Sequence, residues 1–217
     1  MPKKFPPTES FLPEKPTLRA LQRASKDCRG CPLYLGATQT VFGEGNARAA
    51  IVLLGEQPGH EEDLAGRPFV GPAGRLLDEA LAQAGLDRSR LYVTNAVKHF
   101  KWKPGEGGKR RIHERPRQGE VEACRPWFQQ ELWLIQPNVL VCLGATAARA
   151  ALGRAVTIAG ARGRVLVSSS GNPTVVTVHP SAILRTRTST ERDAMMRQFV
   201  ADLRQAARIA GKTLRRV

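Results

Sequence analysis

Four short apolar, β-branched runs punctuate the chain: AAIVLLG (49–55), RLYVTNAV (90–97), NVLVCLG (138–144) and PTVVTVHP (173–180). Each is short and apolar at consecutive positions, the pattern of a strand buried on both faces. Segments of helical periodicity lie between them. AGRLLDEALAQAG (73–85) places Leu76, Leu77, Ala80, Leu81 and Ala84 on one face. EVEACRPWFQQELWLIQP (120–137) is a longer helix ended by proline, and ATAARAALG (145–153) a short one stopped by glycine. TERDAMMRQFVADLRQAARIAG (190–211) is the last and longest. Strands that alternate with helices imply a parallel sheet between helix layers. GRVLVSSSGNP (163–173) adds a hairpin-like edge. The proline-rich residues 1–16 read as a flexible arm and 17–217 as a single domain without internal repeat, opening on a short amphipathic helix in TLRALQRASKDCRGC.

Charge narrows the partners. Lys and Arg total 34 against 19 acidic residues, a formal charge of +15 spread along the chain, which points to a polyanion and to nucleic acid first. No apolar run approaches the length of a membrane span, and the N-terminus has no apolar signal core, so the expectation is a cytoplasmic protein. Four cysteines remain: Cys28 and Cys31 as C-x-x-C, with Cys124 and Cys142 far downstream. A single C-x-x-C is shared by redox motifs and metal sites. Two compact knuckles would suggest zinc. The separated second pair suits an iron–sulfur cluster at least as well, and Cys142 also reads as a small apolar strand residue.

The segments at the C-terminal ends of the strands carry the chemistry. GEQPGHEED comes after the first, TNAVKHF ends the second, GATAARA comes after the third and VHPSA ends the fourth. In open α/β sheets the crevice beyond the C-terminal strand ends is the ligand site. Glu56, Gln57, Asn95, His179 and Ser181 are its candidates. The glycines at 55 and 59 do not form a nucleotide P-loop. PGEGGKRRIHERPRQG (104–119) is glycine-rich and cationic with no apolar rhythm. It reads as a solvated, phosphate-gripping loop carrying His113 to the rim of the crevice, with Lys109, Arg110 and Arg111 disfavouring protonation of the imidazole.

GEQPGHEEDLAGRPFVGPAGRLLDEAL, YVTNAVKHF, VHPSAILR and the four cysteines resemble the iron–sulfur uracil-DNA glycosylases, from about Cys28 to the last helix. Gln57 in GEQPG together with GGKRRIH resembles the UdgX subgroup, whose members become covalently attached to uracil-containing DNA through the histidine of that loop. The resemblance implies a three-layer αβα sandwich with a central, mainly parallel, four-stranded sheet. It implies a structural [4Fe–4S] cluster on Cys28, Cys31, Cys124 and Cys142. The implied catalytic residues are Glu56 beside the developing sugar cation, Gln57 as a positioning group, His179 on the leaving uracil and His113 as nucleophile. The implied substrate-binding residues are Gly55, Asp63, Phe69 as stacking aromatic, Asn95 reading the uracil edge, Arg111, Ser181, Leu184 as a wedge and Arg185 on phosphate, joined by Arg187. The expected partner is uracil-containing, especially single-stranded, DNA, acted on by a monomer. Two alternatives stand beside suicide capture: a turnover glycosylase releasing free uracil, and a non-catalytic nucleic-acid-binding module with structural zinc.

Overall fold

The computed structural model describes residues 5–108 and 110–214, and in it the four apolar runs are adjacent parallel strands at the centre of one sheet. The strands are β1 Glu44–Gly45, β2 Ile51–Gly55, β3 Tyr92–Asn95, β4 Trp102–Pro104, β5 Arg111–His113, β6 Val139–Leu143, β7 Val165–Val167 and β8 Pro173–Thr177. The helices are α1 Leu18–Ser25, α2 His60–Ala65, α3 Pro72–Ala84, α4 Gln118–Ile135, α5 Ala145–Leu152, α6 Ile158–Ala161, α7 Pro180–Leu184 and α8 Ser189–Leu214. The sheet order is β1-β3-β2-β6-β8-β7. It has six strands, not the four expected from the apolar runs. The additions are both antiparallel edges: β7 pairs with β8 as the anticipated hairpin, and β1 pairs with β3 through two residues that carry no apolar signal.

Consecutive apolar residues are needed because both faces of the sheet are covered. Val52, Leu54, Leu140, Cys142 and Val176 face one core, shared with Leu21 of α1, Trp127 and Phe128 of α4 and the buried alanines of α5, Ala147, Ala148, Ala150 and Ala151. Ile51, Leu53, Val139, Val141 and Val175 face a second, shared with Leu76, Leu77 and Leu81 of α3 and Phe199 and Leu203 of α8. Helix α3 begins on Pro72 and ends on Gly85 at φ 73°, the start and stop that its termini favour. No helix among the described residues is long and apolar enough to cross a membrane.

Part of the segment read as an arm lies on the domain. Thr8 is buried and its hydroxyl donates to the Ala123 carbonyl of α4. Phe11 and Leu12 pack against the core. Gly30, inside the C-x-x-C, passes so close that an added Cβ would stand 2.2 Å from Thr8 Oγ1.

A buried ion pair ties β3 to α4. Lys98 Nζ donates to Glu131 Oε2 at 2.6 Å, with the side chains 1% and 0% exposed. The same ammonium donates to Thr94 Oγ1 at 2.6 Å and the Asn95 carbonyl at 3.0 Å. Glu131 Oε1 accepts from the Gly43 amide, the Tyr92 hydroxyl and Thr94. Removing one partner strands a buried charge, whereas removing both does not. Glu131→Ala is therefore expected to lower stability by roughly 3–5 kcal/mol in chemical denaturation, and Lys98→Met/Glu131→Leu to recover most of the loss.

Candidate active site

Strand register brings the C-terminal ends together: Gly55 lies opposite Asn95, Leu54 opposite Cys142 and Leu143 opposite Thr177. Beyond those ends is a cavity of about 690 Å³. Glu56, Gln57, Phe69, Asn95 and His113 line it, together with His179, Ser181, Leu184 and Arg185. Nine residues expected at the site thus converge. Gly55 stands directly behind the wall, where a Cβ would come within 2.2 Å of Asn95 Oδ1 and 2.6 Å of Phe69 Cζ. Asp63 and Arg111 do not line the cavity. Asp63 is fully buried and accepts from the Thr38 amide and from Arg111 Nη1, the latter at 2.6 Å.

Phe69 is held at φ 54°, a conformation few non-glycine residues adopt. Its ring centroid lies 6.0 Å from that of His179. Asn95 Oδ1 is buried without a hydrogen-bond partner among the described residues. A buried amide oxygen with no donor is costly, so Asn95 is suited to a ligand that brings an N–H.

The stretch expected to be a solvated loop is in part a pinned hairpin. Strands β4 and β5 pair with Trp102 opposite His113. Arg111 is packed between the Phe100 and Trp102 rings, and it also donates to His60 Nδ1 through Nε at 3.0 Å and Nη2 at 2.7 Å. Lys101 Nζ reaches Glu120 at 3.0 Å. Gln57 joins the hairpin to the end of β2: its Oε1 accepts from the Lys101 amide, and its Nε2 faces the carbonyls of Lys101 and Glu114. Lys109 lies outside the described residues.

This bonding sets the state of His113. With Oε1 facing an amide, Gln57 Nε2 points at His113 Nε2 at 2.9 Å. An amide NH₂ only donates, so His113 Nε2 is the unprotonated nitrogen. Half the side chain is exposed (49%), yet burial of the ring holds its pKa below the ordinary imidazole value. Glu56 opposes that shift, and Arg185 and Arg115 reinforce it. The reinforcing cations are therefore Arg115, two residues after His113, and Arg185 beyond β8, and not Arg110 or Arg111 as expected. Glu56 Oε1 stands 3.6 Å from His113 Nε2, and Glu56 Oε2 accepts from the Thr146 hydroxyl and lies 3.7 Å from Arg115. Thr146 and Arg115 went unnoticed in the sequence, where nothing marks a threonine after GA or one arginine in a basic run.

His179 is the second neutral imidazole. Its Nδ1 accepts from the Ser181 amide at 3.1 Å, so Nε2 carries the proton. Burial, with His113 and Arg185 adding, pushes its pKa down to about 4. The cavity thus holds one imidazole whose Nε2 lone pair faces the Gln57 amide, one with a free N–H, and a carboxylate.

The four cysteines are all buried in one core cluster with Trp127. Trp127 Nε1–H points at Cys28 Sγ (3.2 Å) and the Lys98 amide at Cys124 Sγ (3.3 Å). Burial pushes the Cys31 thiol up to about 11 and the Cys124 thiol up to about 12. Among the described residues no group of three His, Cys, Asp or Glu is close enough for one metal ion. Donors aimed at sulfur suit thiolates, and four buried sulfurs fit the donor set of a polynuclear cluster.

A model of the uracil DNA glycosylase superfamily matches residues 42–204. The chain belongs to that superfamily. It is accordingly an enzyme that cleaves an N-glycosidic bond. The chain is 40% identical over 165 residues to a Type-4 uracil-DNA glycosylase of Thermotoga maritima, covering 76% of this chain and 81% of the relative. It is 34% identical over 193 residues to one of Pyrobaculum aerophilum, with 86% and 91% covered. Over 203 residues it is 34% identical to one of Archaeoglobus fulgidus, with 90% and 94% covered.

The histidine assignments carry a pH signature. His179 titrates at about 4 when folded and near 6.5 when unfolded, so the unfolded chain binds its proton first. Its contribution to stability is complete above pH 6.5 and is lost as pH falls towards 4. Denaturation midpoints should decline across that window in the wild type and less so in His179→Gln. The His179 ring resonances should not move between pH 8 and 6.

Proposed function

We propose that this protein excises uracil from DNA and then captures the exposed sugar through His113. The excision reading is supported by the relatives' names and by Asn95, whose partnerless Oδ1 suits uracil N3–H while its amide NH₂ suits O4; cytosine presents the reverse pattern. The base must be flipped out or met in a single strand, and single-stranded DNA avoids the unpairing cost. Phe69 stacks on the ring, Leu184 fills the vacated space, and Arg185 takes phosphate. Ser181 orients His179 through Nδ1.

As the C1′–N1 bond breaks, its electron pair passes to the uracil and the sugar becomes cationic. The Nε2–H of His179 donates to O2 and stabilises that anion. Glu56 faces the cation. His113 Nε2 gives up its contact with the Gln57 amide, whose two N–H groups keep the Lys101 and Glu114 carbonyls; its lone pair then bonds to C1′, the imidazole sheds its Nδ1 proton, and uracil takes a proton from solvent. The observation that carries capture is the position of His113 Nε2 at the cavity wall, 2.9 Å from Gln57 Nε2 and 3.6 Å from Glu56 Oε1. On this reading the chain is a UdgX-type member of the superfamily.

A second reading, with water as nucleophile and uracil released over many turnovers, is favoured by the relatives, which are named Type-4 uracil-DNA glycosylases. The two separate on a denaturing gel. Capture predicts a detergent- and heat-stable complex with uracil-containing single-stranded DNA, none with thymine DNA, and none from His113→Ala. Abasic product in excess of protein, or a stable complex from His113→Ala, would overturn it.

The proposal includes a [4Fe–4S] cluster on Cys28, Cys31, Cys124 and Cys142, supported by their shared burial and the N–H donors on Cys28 and Cys124. The cluster's contribution is to fasten the C-x-x-C to α4 and β6, since metal ligation in a core adds to folding. Purified protein should be brown, with about four iron and four sulfide per chain, and Cys142→Ser should lower both.

A further inference from the structure

A second cavity, of about 200 Å³, adjoins the first, and no role assigned above uses it. Arg115 and Ala145 line both, so the two are continuous around the arginine. The floor is apolar, from Pro116 and Val121 near the start of α4 to Ala155 and Val156 beyond α5. Its charged rim is Arg115 and Arg149. Arg149 is exposed, and among the described residues its guanidinium has no hydrogen-bond or ion-pair partner. The lining acid, Glu122, is paired with Arg125 at 2.9 Å and leaves Arg149 uncompensated, while Arg115 stands 3.7 Å from Glu56 Oε2. An apolar floor under one unpaired arginine and one at the long end of an ion pair suits a sugar with its phosphate, and the volume suits one nucleotide and not a duplex.

We propose that this cavity seats the nucleotide adjacent to the excised one on the same strand, with its phosphate between Arg115 and Arg149 and its sugar over Ala155 and Val156. The proposal rests on the reading of the larger cavity as a uracil-DNA site. Arg185 and Arg115 both line that cavity with His113, and both lie near enough to disfavour its protonation. A strand running from Arg185 past His113 to Arg149 would meet the second cavity on one side of the uridine only. The seat is therefore sided.

Sidedness supplies the test. Three single-stranded oligonucleotides of equal length carry uracil internally, at the 5′ end or at the 3′ end. Initial rates of uracil release at sub-saturating DNA are compared for the wild type, Arg149→Glu and Ala155→Trp, which fills the cavity from an exposed position. Arg149→Glu should slow the internal substrate and one of the two end-placed substrates about tenfold, the size expected for one lost charge-assisted phosphate contact. The other end-placed substrate should stay within about twofold. The salt dependence on the internal substrate should lose a slope of about 0.7, one phosphate on a single strand. Ala155→Trp should show the same sidedness without the change in salt slope. Equal slowing of both end-placed substrates, or no slowing of any, overturns the seat while leaving the uracil site intact. If the wild type releases uracil from none of the three, both readings fall.

Discussion

The Lys98–Glu131 pair is the constraint around which the site is organised. A fully buried ion pair persists only when every remaining donor and acceptor is satisfied, and here that requirement recruits three parts of the fold. Glu131 accepts from Gly43 at the entry to β1 and from Tyr92 and Thr94 on β3. Lys98 returns a bond to the Asn95 carbonyl, and its own amide faces Cys124. The strand end that presents Asn95 and the helix that carries Cys124 are thereby held by the same few atoms. Phe42, 5.2 Å from the ammonium, closes the apolar side.

The electrostatics of the cavity run against the charge of the molecule. A chain of +15 offers a strong field for DNA, yet both imidazoles in the cavity are kept neutral, chiefly by burial. Surface cations can then attract phosphate without protonating the groups that do chemistry. The two imidazoles differ only in which nitrogen is engaged: Gln57 takes up Nε2 of His113, and the Ser181 amide takes up Nδ1 of His179. The lone pair of His113 is thus held against an amide, and the N–H of His179 is left open to the cavity.

The central strands were legible because burial on both faces forces consecutive apolar residues, and the strand ends came with the parallel topology. Glu56, Gln57, Asn95 and His179 were found by that route. What escaped depends on partners distant in sequence. Strand β1 is two residues long. The ordered hairpin around His113 has no apolar rhythm, because Arg111 on Asp63 and Gln57 on backbone groups order it. Asp63 and Arg111 matched a motif but serve behind the cavity wall. Thr146 became visible only as the donor to Glu56, 90 residues away.

On the proposed capture, the pinning of His113 bears on the competition with water. A nitrogen held at the cavity wall has already lost the translational freedom that water must surrender on attack. Glu56 is poorly disposed to prepare a water, since one carboxylate oxygen accepts from Thr146 and the other faces His113. The same surroundings act again after the bond forms. An imidazole attached to C1′ departs readily only if protonated, and burial with Arg185 and Arg115 disfavours protonation of this ring. The environment that makes His113 a nucleophile at neutral pH therefore also makes it a poor leaving group, so that attack and retention share one cause.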